Sequence, residues 1–142
     1  MKNVAKIVIK GSSGYGPSEM AYNDKLKITD CSIAYEYKPL VESEMNFSRK
    51  WSYKSNGAVF KDAFERISSL IEKSLKQDIR ESFTDIGAIT FSIEYSDGSK
   101  RKEEFWLPSD YFSELFDAIK ELVPRTECIP EVLKTEEDYD ME

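Results

Sequence analysis

The chain has no histidine among its 142 residues. That absence removes imidazole general bases, His-assisted nucleophiles and His-ligated metals. Cysteine is scarce, with only Cys31 and Cys128 and no C-x-x-C spacing. Such a pair fits idle thiols in a reducing compartment, with a single Cys31–Cys128 bridge as the alternative. No apolar run reaches the length of a signal-peptide core or a membrane span. The expectation is a cytoplasmic protein with no membrane partner. There is no internal repeat and, apart from the C-terminal end, no low-complexity segment.

Charge is plentiful instead. Charged residues make up 33% of the chain and the formal net charge is −7. Phosphate backbones repel an acidic surface, because nucleic-acid affinity rests on Lys and Arg displacing counterions. No nucleic-acid partner is therefore expected. The charge is concentrated at one end: Glu131 to Glu142 holds six acids and one lysine, which leaves the first 130 residues at −2. Residues 1–130 read as a single domain and 131–142 as an acidic, partly disordered tail.

Hydrophobic periodicity organises the domain. Val4 to Lys10 alternates, with Ala5, Ile7 and Ile9 on one side and Val4, Lys6, Val8 and Lys10 on the other. A glycine- and proline-rich loop follows from Gly11 to Pro17. Glu19 to Ile28 alternates again, with Asp24 as the one polar exception on the apolar side. A third strand runs from about Cys31 to Lys38, and Pro39 ends it. Leu40 to Asn46 has no period and reads as an exposed loop. Phe47, Arg49, Trp51 and Tyr53 then share one side of a fourth strand, opposite Ser48, Lys50, Ser52 and Lys54.

From Phe60 to Leu75 the period becomes helical, with Ser55 or Asn56 placed to cap the start. Asp78 to Asp85 reads as a polar connection. Ile86 to Tyr95 and Ser99 to Leu107 form a hairpin around Ser96-Asp97-Gly98. Two registers compete. A two-residue Asp97-Gly98 turn sets Phe91 against Glu104. A three-residue loop with Gly98 left-handed sets Ile89 against Phe105, Gly87 against Leu107 and Glu94 against Lys100. The second pairs more apolar groups and opposite charges, so it is preferred. A second amphipathic helix starts at Ser109 and Asp110, buries Phe112, Leu115, Phe116 and Ile119, and stops at Pro124. Cys128, Ile129, Val132 and Leu133 supply apolar groups that could pack back on the domain. The order ββββαββα with short links predicts an α+β fold: a mainly antiparallel sheet of about six strands with two amphipathic helices on one face.

No constellation carries recognisable chemistry. The Gly11–Pro17 loop has the flexible amides of a phosphate cradle, but a strand follows it where a cradle needs a helix, and it lacks a Lys-Ser or Lys-Thr pair. Acids such as Glu19, Glu36, Asp62, Asp78 and Asp85 fit solvated surface positions, and no D-x-D-x-D-G run forms an oxygen cage. Cys31 has no base to activate it. No catalytic residue, metal site or cofactor is expected.

What stands out is the aromatic content of the strands. Tyr and Trp want one wet end, so a sheet rich in them has a half-exposed face, and such faces anchor protein partners. Tyr35, Tyr37, Arg49, Trp51 and Tyr53 are the candidate interface residues, against the plainer reading of cross-strand aromatic packing. The function expected is a non-catalytic module that binds another protein or a copy of itself. One alternative is an immunity-like inhibitor of a basic enzyme. The other is a small-molecule-binding protein or enzyme with a pocket between sheet and helices.

Overall fold

The computed structural model describes residues 3–12, 21–44, 46–76, 88–106, 109–124, 127 and 129–134. Six strands form one sheet: β1 (Val4–Ser12), β2 (Tyr22–Thr29), β3 (Ser32–Pro39), β4 (Arg49–Lys54), β5 (Ile89–Tyr95) and β6 (Lys100–Phe105). Their spatial order is β4-β3-β2-β1-β5-β6 and every neighbouring pair is antiparallel. Two helices, α1 (Ala58–Ser74) and α2 (Ser113–Lys120), complete the α+β architecture in the expected order. No helix among the described residues is long and apolar enough to cross a membrane.

Both helices cover the same sheet face. Phe112 and Phe116 pack on Phe91, Phe60 of α1 meets Tyr53, and the Tyr95 hydroxyl donates to Glu72 of α1 at 2.7 Å. Ile7, Ile9, Leu26, Ile28, Ile33 and Ile93 line this face and are fully or almost fully buried. Period-two burial is what a one-sided sheet demands. The β5–β6 hairpin adopts the three-residue register: Ile89 faces Phe105, Glu94 faces Lys100, and Gly98 sits at φ +88°. A left-handed residue at that position is one that glycine tolerates without steric cost. The Gly87–Leu107 pair lies outside the described residues.

Several local expectations change. A bulge at Ala5 shifts the register, so Val4 pairs with Tyr95 and packs on the core while Ala5 is exposed. Alternation assigned Val4 to the lysine side, because periodicity cannot register an extra residue. The first helix starts after Gly57, with no side-chain cap, and Ser55 Oγ instead accepts from the Gly57 N–H at 3.1 Å. The second begins with a 3₁₀ turn at Ser109–Phe112, and its α-helical part starts only at Ser113. Asn46, assigned to an exposed loop, is buried.

The packed chain also runs past residue 130. Glu131–Leu133 form a 3₁₀ turn over the ends of β1 and β2, with Val132 and Leu133 buried. Residues 135–142 lie outside the described residues, as do 13–20 and 77–87, which include most of the Gly11–Pro17 loop and the polar connection.

Candidate functional site on the open sheet face

The five aromatic-strand candidates do not form an open patch. Tyr35, Tyr37 and Trp51 are 2%, 5% and 8% exposed, whereas Tyr53 is 46% exposed. Their parity faces the helices, so burial claims the rings and the expectation of a half-exposed aromatic face is corrected. Their hydroxyls find partners inside: Tyr35 donates to Asp24 Oδ2 at 2.8 Å and Tyr37 donates to Asn46 Oδ1. Trp51 packs against Tyr35 at a centroid distance of 5.9 Å. Arg49 lies over the Tyr37 ring at 4.2 Å and over Phe47 at 5.5 Å, and its buried Nε has no hydrogen-bond partner among the described residues.

Asp24, the polar exception of β2, is the hub of this end of the core. Its Oδ2 accepts from the Tyr35 hydroxyl and, at 2.9 Å, from the Val132 N–H. The Glu131 N–H donates to the Tyr35 oxygen at 3.1 Å. Asp24 and Tyr35 thereby fasten Glu131–Leu133 to the sheet. Burial pushes the Asp24 carboxyl up to about 6, against the hydrogen bonds from Tyr35 and the backbone of Val132 and Gly11 that favour its ionised form. Burial also raises Tyr35 far above the usual phenol range, with the nearby Asp24 charge adding to it.

The opposite sheet face has no described element over it, and its residues are of another kind. β1 contributes Lys6 and Lys10, and β2 contributes Lys25 and Lys27. Lys38 comes from β3 and Lys50 and Lys54 from β4. Lys100 and Lys102 come from β6. Against these nine lysines stand three acids: Glu36, Glu94 and Glu104. The register brings like charges together, since Lys10 pairs directly with Lys25 at the centre of the sheet. Only two of the nine make ion pairs among the described residues: Lys6 with Glu94 at 3.8 Å and Lys38 with Glu36 at 2.8 Å. The hydrogen bond from Lys38, with Lys50 and Lys25 nearby, holds the Glu36 carboxyl below its ordinary value.

Two shallow depressions mark this face. A depression of about 400 Å³ is lined by Lys6, Lys10, Lys25, Lys100 and Lys102, with Val8 and Ser92 between them. A second, of about 490 Å³, adjoins it at Lys25 and extends to Lys27, Glu36 and Lys50. Alternation puts Lys6, Lys10, Lys50 and Lys54 on the polar sides of their strands without showing that those sides join in one face. The signal was there, in the polar parity of each strand. Only the strand order shows that the lysines of β1, β2 and β6 share one surface.

A third depression, of about 640 Å³, lies between α1 and the β5–β6 end and includes Glu72, Tyr95 and Arg101. Those groups are engaged with one another: Arg101 pairs with Glu72 at 3.6 Å and Tyr95 donates to it. Among the described residues no cluster of three acid or cysteine side chains could hold a metal ion. Cys31 is exposed with a free thiol, and Cys128 lies outside the described residues. No protein-family model matches the chain, and no curated protein matches it.

Proposed function

We propose that this chain is a non-catalytic protein-binding module whose working surface is the lysine face of its sheet, and that its partner presents an acidic polypeptide segment. The observation that carries the reading is the charge of that face, nine lysines against three glutamates on a chain whose net charge is −7. Unpaired like charges held side by side are costly, and a partner bearing carboxylates offsets that cost. Within a Debye length of about 8 Å the local patch, not the net charge, governs an approaching anion.

The side chains of this face favour a protein over a nucleic acid. Within its strands this face carries, besides lysine and glutamate, Ser, Thr, Ala, Val and Asn, with no ring for base stacking and no arginine for bidentate base contacts; the exposed Trp106 lies just past the end of β6. A basic enzyme, the partner of the immunity-like reading, would be repelled by the same lysines.

The test is titration of the protein with fluorescently labelled polyglutamate at low and physiological ionic strength. Binding is expected to weaken with salt. It should be lost in Lys10→Glu/Lys25→Glu/Lys102→Glu and kept in Lys61→Glu, which changes charge on α1 instead. Equal binding by the two variants, or tighter binding of duplex DNA than of polyglutamate, would overturn the proposal.

A further inference from the structure

Resting on that reading, we infer that the acidic segment docks in extended form as a seventh strand along the free edge of β4. Among the described residues the sheet has two edges, β4 and β6. An edge strand turns every second N–H and C=O outward, and these groups template another strand. The two edges differ in charge. β4 reads Arg-Lys-Trp-Ser-Tyr-Lys, three cations and no acid. β6 reads Lys-Arg-Lys-Glu-Glu-Phe, and its Arg101 is already engaged by Glu72 and Glu103. An acidic strand is favoured more at β4, whose net charge is +3, than at β6, whose two glutamates reduce it to +1. A second copy of β4 is opposed, since self-pairing brings three cations against three.

The two sides of β4 set the sequence such a strand needs. Lys50 and Lys54 point to the lysine face and carry no ion pair among the described residues. On the other side Phe47 is 50% exposed and Tyr53 46%, an apolar border where the core reaches the edge. Side chains alternate along a strand, so an incoming segment meets lysines with one parity and rings with the other. The occupant is therefore a peptide that alternates acidic and apolar residues. Its acidic side chains extend the Glu36–Lys50 row of the open face, and its apolar ones cover Phe47 and Tyr53.

The experiment uses a synthetic peptide of alternating Glu and Val, and the same peptide N-methylated at every second amide. Affinity is read by titration, and amide exchange of the full chain by NMR. The outward amides of Arg49–Lys54 should slow on binding while those of Lys100–Phe105 do not. N-methylation on the edge-facing side should weaken binding by about tenfold or more, the loss of a few ladder hydrogen bonds. Lys50→Gln/Lys54→Gln, which removes the two charges without setting a second glutamate against Glu36, should weaken it with little change in melting temperature. If the peptide binds through Lys10 and Lys25 but β4 gains no protection and N-methylation changes nothing, the edge inference falls and the lysine-face reading stands. If the peptide fails to bind even at low salt, both fall.

Discussion

Lys10 on β1 stands directly opposite Lys25 on β2, on the face that no described helix covers. Like charges opposed in adjacent strands are destabilising, by roughly 0.2–1 kcal/mol. A single Lys10→Glu substitution turns this repulsion into a cross-strand pair, and its neighbour on the other side, Thr90 of β5, is uncharged. The variant is expected to melt higher than the parent by an amount of that order, while its affinity for polyglutamate falls. A lower melting temperature would show that the pairing is not strained. Stability and binding should move in opposite directions, the pattern of a surface kept for function.

Asp24 gives a pH dependence with a definite sign. Its carboxyl titrates near 6 in the folded chain against 3.8 when free. The folded state therefore holds the extra proton between those values. Stability from this group is fully present below about 4 and is lost as pH rises through about 6, up to about 3 kcal/mol in all. Asp24→Asn removes the titration while keeping an acceptor for Tyr35 and Val132. Denaturant unfolding of both proteins should show the variant gaining on the parent from pH 4 to pH 7. A constant difference across that range would refute the assignment.

Gly11 is needed for contact rather than flexibility. A Cβ there would lie 2.5 Å from Asp24 Oδ1 and 2.7 Å from Val132 Cγ2. Gly11→Ala should cost roughly 1–3 kcal/mol and loosen Glu131–Leu133, since overpacked cores shift rather than compress. Faster amide exchange at Val132 and Leu133, ahead of the global unfolding, is the expected readout.

Phe91 is the keystone of the aromatic core, in ring contact with Phe105, Phe112 and Phe116. It is fully buried. Phe91→Ala should cost about 3–5 kcal/mol, and chemical denaturation measures it. Tyr53→Ala, at a half-exposed edge position, should cost much less. Comparable losses would mean that the edge is as tightly packed as the centre.

The elements were legible because their periods are strong. Alternating Ile7 and Ile9, the helical stripe from Phe60 to Leu75, and the Ser96-Asp97-Gly98 turn each specify their local structure by side-chain placement. The preferred hairpin register followed from which apolar groups could meet. The candidate site was not legible in the same way. Tyr35, Tyr37 and Trp51 belong to a face that must be buried, yet alternation says which residues share a side and not which side a helix will cover. Asp24 breaks the apolar pattern because it binds the Val132 amide, 108 residues away in sequence.

The sequence by itself determined the strands, the helices and the grouping of side chains within each, because these depend on neighbours two to four residues apart. Only the tertiary structure decided that β1 lies between β2 and β5, that lysines from five strands share one open face, and that β4 is left as an edge. Those outcomes depend on which strands pair over long separations and on where the helices and the C-terminal turn settle. Such contacts are chosen by the burial and hydrogen bonding of the whole chain, and no single segment carries them.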